Sequence, residues 1–408
     1  MYQLIAVIIA FLFIPIFIKL KFKLSNTLLM TAAILGIVSG IGIKSMGDSV
    51  LSVVMEKSSL TTILSVIMVT ILSGLMKKYG LLDKIVESML LVIHNRKIIL
   101  MIIPAMIGML VVPGGALLSA PFINDLGGEM KISPSRRAAI NLVFRHISMF
   151  ILPYSTSLLI VAGVMPDVSI PRIILYNLIF VVSMTVIGYF MYIRDIEVDT
   201  KVQHGKEEIG KNILKLLAYT SPIYICMIIN ILTGLPFYIT LIASVILVYF
   251  LGDKRDFLKT IIDSFNFQTI MTVVAIFIMK DMIMKMDGLL SIFNNLFINS
   301  NSIYTTMFIF LISSFFFGFI TGNNAASLAI LLPMISQLNA SVELTHIFIY
   351  FAFGSAFLGY FFSPLHLCQA FTVQHIGTTT KELYKEYKFF VPLLFIVLVV
   401  SFLILVSL

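Results

Sequence analysis

The sequence predicts an all-α polytopic membrane protein, with about ten transmembrane helices plus two re-entrant hairpins in an inverted repeat. Three observations carry this expectation. Hydrophobic residues make up 59% of the 408 and charged residues only 12%, with a mean hydropathy of +1.06, whereas soluble domains carry roughly a quarter charged residues. Apolar runs of about 17–25 residues, the length a bilayer demands, recur along the whole chain. Two glycine-containing, small-residue breaks interrupt otherwise apolar sequence, VVPGGALLSAPFIND at 111–125 and FITGNNAASLAILL at 319–332.

Taken in order, spanning segments are expected at 2–20, 27–43, 58–76, roughly 137–163, 170–193, 213–231, 236–252, 265–283, roughly 343–370 and 389–407. The first lacks a basic n-region and an A-x-A-like cleavage site, so it reads as a retained helix rather than a signal peptide. The regions 97–126 and 302–336 carry the breaks. Each is too long for one helix and turns midway, hence the assignment as re-entrant hairpins. Non-helical backbone at membrane depth is tolerated only where protein or a wet cavity satisfies its polar groups. Amphipathic stretches near 80–93 and 287–298 suit the interface. The polar linker 194–212 is a solvated loop that divides the chain into a first repeat, 1–193, and a second, 213–408.

The repeat is legible directly. MKKYGLLDKIVESM at 76–89 resembles MKMDGLLSIFNNLF at 284–297, an offset of 208 that also lays Gly114 on Gly322, Gly115 on Asn323 and Ser119 on Ser327. Five crossings per half is an odd number, so the second half is inverted, a recurrent plan around midplane sites. With the N-terminus outside, 22 of the 28 Lys and Arg fall on the inner face and five on the outer, with Arg145 left inside a span. That asymmetry favours a multi-pass topology with both termini outside. The net charge of +8 is accounted for by this topology, so no nucleic-acid partner is implied.

Candidate site residues cluster at the breaks. Gly114, Gly115 and Ala116 at the first tip let backbone approach a ligand. At the second tip, Thr321, Gly322, Asn323, Asn324 and Ser327 offer carboxamides and hydroxyls, which must be hydrogen-bonded or wet in an apolar hairpin. The following spans are also broken, by Pro153 before Ser155, Thr156 and Ser157, and by Pro364 between Ser363 and His366. A mid-helix proline frees a carbonyl that can join the hydroxyls on Na⁺. The alternative for each hydroxyl is a bond back to its own helix. Asp125 is a further cation-ligand candidate, although Gly127, Gly128 and Glu129 place it near the inner surface. Arg145, beside His146, is an intramembrane ionisable group and a substrate candidate, or else a snorkelling side chain. His366 can carry a proton or sit neutral and hydrogen-bonded. Cys226 and Cys368 lie in apolar stretches of different halves and read as buried thiols, with no disulfide framework or metal cluster indicated.

At PGGALLSAP, GNNAAS and SPLHLC the chain resembles an uncharacterised domain-of-unknown-function family of prokaryotic integral membrane proteins. The resemblance implies membership of the ion transporter superfamily, with the gluconate permeases, sodium–dicarboxylate symporters and arsenite and Na⁺/H⁺ transporters. In the dicarboxylate relatives, Ser-Asn-Thr motifs at both tips bind substrate carboxylate beside Na⁺. The second tip here is similar at Gly322-Asn323-Asn324. The first departs with Gly114-Gly115-Ala116, which speaks against a symmetric dicarboxylate site.

The function expected is ion-coupled secondary transport of a small anionic organic solute, by alternating access around a midplane site. The coupling ion is Na⁺ or H⁺, with Na⁺ favoured by the neutral oxygens at the breaks. No other cofactor is implied; the expected partners are the solute, the lipid bilayer and, in a homodimer, a second copy. The alternative is a Na⁺/H⁺ antiporter or inorganic-ion carrier, weakened by the absence of an acidic pair mid-span. A channel lacks a filter repeat. A membrane-embedded enzyme lacks HExxH, GxSxG or paired intramembrane aspartates, so no catalytic residue is assigned.

Overall fold

A computed structural model describes residues 2–109, 116–197, 209–252, 255–289, 291, 303–336, 338 and 340–408. Among these residues every regular element is helical. The first half contains α1 (Tyr2–Lys19), α2 (Leu24–Val38), α3 (Ile43–Met55), α4 (Lys57–Lys78), α5 (Leu81–Val92), α6 (Arg96–Gly108) and α7 (Ala116–Glu129). It continues with α8 (Pro134–His146), the single-turn α9 (Ser148–Ile151), α10 (Thr156–Val164) and α11 (Ile170–Tyr192). The second half contains α12 (Ile209–Thr233), α13 (Phe237–Leu251), α14 (Phe257–Asp263) and α15 (Phe267–Met284). It ends with α16 (Ile303–Thr321), α17 (Asn324–Ser336), α18 (Val342–Phe362), α19 (Leu367–Ile376) and α20 (Thr380–Ser407).

Nine helical stretches among the described residues are long and apolar enough to cross a membrane. They are α1, α4, α11, α12, α15, α16 and α20, with the two broken units 134–164 and 342–376. The chain is therefore a polytopic, all-helical membrane protein. Two expected spans are shorter than a full crossing, since α2 and α13 have 15 residues each. Between the expected spans 27–43 and 58–76, where no element was expected, the chain forms the amphipathic α3.

The first break separates two half-length helices, α6 and α7, of 13 and 14 residues, which pack on each other. Its turn, Leu110–Gly115, lies outside the described residues, and with it Gly114 and Gly115. Half of the repeat segment 284–297 and most of the amphipathic stretch 287–298 lie outside them as well. The second break pairs a 13-residue arm, α17, with α16, whose 19 residues match a full span. That hairpin is therefore asymmetric in length. Both proline breaks occur where the sequence placed them, at 152–155 and 363–366.

Local sequence explains the ends. Asn95 caps α6 by accepting from the amides of Lys97 and Ile98, and Ser133 caps α8 ahead of Pro134. Thr379 and Glu382 form a capping box on α20. Packing is closest where glycines meet backbone. A Cβ on Gly318 of α16 would lie 2.1 Å from the Ala356 carbonyl oxygen, and one on Gly359 of α18 would lie 2.0 Å from that of Phe315. Only two glycines allow α16 and α18 to cross at this distance. In the first half, Gly108 of α6 meets the Arg145 carbonyl in the same way. Corresponding elements also pack alike, α7 against α8 and α19, and α17 against α18 and α10.

Polar contacts at the helix ends fall into two sets. Arg96 pairs with Glu129, Lys97 donates to the Arg194 carbonyl, Arg136 to that of Tyr192, and Ser135 to Glu386. The other set joins Arg172 to Glu343, Lys280 to Glu56, and Lys285 to Ser49. The Lys and Arg residues of the first set are all expected on the inner face, and those of the second on the outer.

Candidate functional site

Helix α8 carries its polar residues inward. Asn141, Arg145 and His146 are all buried, with Arg145 and His146 each 6% exposed. The helix ends at His146 because the chain must turn through α9 into the Leu152–Ser155 break, where Pro153 cannot continue the hydrogen-bond ladder. Ser155 then caps α10, accepting from the Leu158 amide and donating to the Met149 carbonyl. In the second half, α18 ends at Phe362 and the break Ser363–His366 leads into α19. The Ser363 hydroxyl holds this turn, donating to the Phe319 carbonyl and accepting from the Leu365 amide.

The end of α8 meets the second-half break through histidines. His146 Nε2 lies 3.1 Å from His366 Nε2 and 3.1 Å from the Tyr360 hydroxyl. His146 Nδ1 sits 2.6 Å from the Leu142 carbonyl, an acceptor only, so Nδ1 carries the proton. In its neutral form the ring then presents a bare Nε2 to the cluster. Tyr360 packs against His366 with 4.1 Å between ring centroids and the rings tilted by 48°. Arg145 lies beside both Tyr360 and Cys368, and its Nη1 is buried with no hydrogen-bond partner. Among the described residues no Asp or Glu is buried, and none forms an ion pair with Arg145. His146, His366 and Cys368 have ligand-capable atoms within 4.8 Å of one another.

The second tip rests on the second break. Gly322 adopts a φ of +56°, and a Cβ there would lie 2.7 Å from Leu365 Cβ. Positive φ and this contact both require glycine. Asn323 spends its carboxamide oxygen on the Ala326 amide, so it caps α17. Thr321 and Ser327 bond each other and the backbone of Phe317 and Asn323. Asn324 is different. Its Nδ2 reaches Ser157 Oγ across the halves at 3.3 Å, and its buried Oδ1 has no protein partner. Near the first tip, the Ala116 carbonyl and Thr372 Oγ1 accept from Asn141 Nδ2, and Asn141 Oδ1 is likewise buried and unpartnered.

The structure thus unites Arg145 with His366, and Asn324 with Ser157. Thr321, Asn323, Ser327, Ser155 and Ser363 engage mainly with local backbone, and Thr156 is the half-buried first residue of α10. Asp125 is exposed. It lines a surface groove with Arg96 and Glu129, away from the cluster. Cys226 is fully buried, whereas Cys368 is only half-buried and joins the histidines, so a donor cluster exists where the sequence suggested none. Sequence reasoning also missed Tyr360, Asn141 and Thr372. Asn141 carried a signal, as a carboxamide within an apolar span about three turns before the Pro153 break. Tyr360 is indistinguishable from its aromatic neighbours.

The sequence matches the family described as "Protein of unknown function (DUF401)" over residues 4–407. Comparison with curated proteins finds no match.

Proposed function

The chain belongs to the DUF401 family, and from the site we propose that it is an ion-coupled secondary transporter of a small anionic solute. One observation carries the reading. Arg145 is buried beside two imidazoles and a phenol with an unpartnered guanidinium nitrogen, and among the described residues no carboxylate is buried with it. A buried cation without an opposing charge is strongly unfavourable, and an anionic substrate group is the counter-charge that relieves it. The end of α8 and the second-half break meet at this position, and Asn324 reaches Ser157 across the halves, which suits alternating access about a midplane site. The corresponding packing of α7 and α17 supports an inverted repeat and, with the resemblance at the two tips, a place in the ion transporter superfamily.

Na⁺ is the coupling ion in this reading. Asn324 Oδ1 is the open oxygen, with the Ser157 hydroxyl at hand, and neutral oxygens suit a hard cation. The absence of a buried carboxylate among the described residues argues against a Na⁺/H⁺ antiporter. The protein would sit in a prokaryotic inner membrane with both termini outside. Its test is a thermal-shift screen of mono- and dicarboxylates and inorganic oxyanions, with and without Na⁺, on the wild type and Arg145→Gln. A ligand at a hundred times its Kd adds about 2.7 kcal/mol of stability. Stabilisation by one anion class, enhanced by Na⁺ and absent in Arg145→Gln, supports the reading; stabilisation that survives Arg145→Gln refutes Arg145 as the anchor.

A further inference from the structure

We propose that His146, His366 and Cys368 form a binding site for a borderline-soft divalent metal ion of the Zn²⁺ type. The donor set is two imidazole nitrogens and one thiol sulfur, which selects zinc and its neighbours over Na⁺, Mg²⁺ or Ca²⁺. The geometry is close to what one ion requires. Ligands at the usual Zn–N and Zn–S lengths stand about 3.3–3.6 Å apart around a tetrahedral centre. Here the two Nε2 atoms are 3.1 Å apart, and the three ligand-capable atoms lie within 4.8 Å of one another. A small inward shift of Cys368, which is half-buried, closes the set.

A second, independent observation points the same way. Metal-bound histidines almost always donate their other ring N–H to a carbonyl or carboxylate, which fixes the tautomer and aims the bare nitrogen at the ion. His146 does this through Nδ1 and the Leu142 carbonyl, one helical turn back, at 2.6 Å. His366 Nδ1 is free to carry the ring proton when Nε2 binds metal, because it has no hydrogen-bond partner. The proton balance is simple. His366 moves its proton from Nε2 to Nδ1, and the Cys368 thiol releases one proton to solvent as the sulfur becomes the metal-binding thiolate. Arg145 beside Cys368 opposes added positive charge but favours that thiolate. Three protein ligands leave a fourth position for the Tyr360 hydroxyl, water or an anion. Because the ligands come from α8 and from the second break, one ion would tie the two halves of the chain together.

The experiment is a Co²⁺ titration of the reduced, metal-stripped full-length protein in detergent, followed by absorption spectroscopy. The expected result is one Co²⁺ per chain, with tetrahedral d–d bands and a near-ultraviolet thiolate-to-cobalt band. Cys368→Ser, which is close to isosteric, should abolish the thiolate band, while Cys226→Ser should retain it. His146→Gln should weaken Co²⁺ binding about tenfold or more, and Zn²⁺ should displace the cobalt. No thiolate band in the wild type, a band that survives Cys368→Ser, or unchanged affinity in His146→Gln would overturn the proposal. None of these readouts depends on finding the transported solute.

Discussion

Arg145 owes its position to packing that leaves it little freedom. Its carbonyl is pressed by Gly108 of α6, and its guanidinium is enclosed with Tyr360 and Cys368. Replacing it with Met should therefore preserve the fold and remove anion-dependent stabilisation entirely, as read by thermal unfolding with a bound anion. The adjacent asparagines at the second tip separate in the same way. Asn323 caps α17, so Asn323→Ala should lower stability by about 1 kcal/mol in thermal unfolding while sparing ligand affinity. Asn324 has an open Oδ1, so Asn324→Leu should abolish Na⁺-dependent ligand stabilisation. A third residue-scale expectation concerns Glu56, which lies between α3 and α4. Partial burial pulls its carboxyl up, but hydrogen bonds from Lys280 and Ser59 outweigh this and hold it below its ordinary value. Stability from this pair is fully present above the ordinary glutamate pKa of about 4.3. It declines as pH falls below that and is gone once pH passes the lowered folded value. The carboxylate is 38% exposed, so the contribution is about 1 kcal/mol or less. Unfolding temperatures measured across this range should converge for wild type and Glu56→Gln at the acid end and differ at neutral pH.

At the scale of elements, the breaks are the most informative part of the sequence. Proline cannot continue a helix and glycine tolerates positive φ, so Pro153, Pro364 and Gly322 announced the unwound segments without any tertiary knowledge. Lengths were harder to foresee: the expected spans 27–43 and 236–252 are helices of only 15 residues, because hydropathy does not mark where a turn begins. The amphipathic α3 was also missed, since its short apolar stripe is interleaved with Lys44, Ser45 and Asp48. The crossing of α16 and α18 is the element most exposed to a single substitution. Gly318→Ala or Gly359→Ala sets a methyl about 2 Å from a backbone carbonyl, which no rotamer change can relieve. Each should destabilise the protein by about 1–3 kcal/mol or more, measured as a lowered unfolding temperature in detergent. An unchanged temperature would mean that the two helices are not in contact as described.

For the whole molecule, composition and apolar run length were enough to identify a polytopic helical membrane protein, because the bilayer imposes both. The meeting of Arg145 and His146 with His366 and Cys368 was not legible in the same way. It depends on which faces of α8 and of the second break turn toward each other across more than two hundred residues, and periodicity within one helix does not encode that. Arg145, His366 and Asn324 were nevertheless marked, since a polar group in an apolar span requires a reason. Tyr360 and Cys368 were not, because nothing local distinguishes them from core residues. The central claim, that an anion is carried on Arg145, is tested most directly by uptake into proteoliposomes. Radiolabelled carboxylates and oxyanions would be supplied under an inward Na⁺ gradient, and separately under a pH gradient, with wild type and Arg145→Met compared. We expect one anion class to accumulate against its gradient in wild-type vesicles with Na⁺, and no accumulation in Arg145→Met vesicles holding equal amounts of folded protein. Equal accumulation by Arg145→Met, or no accumulation of any of these anions by the wild type under either gradient, would contradict it.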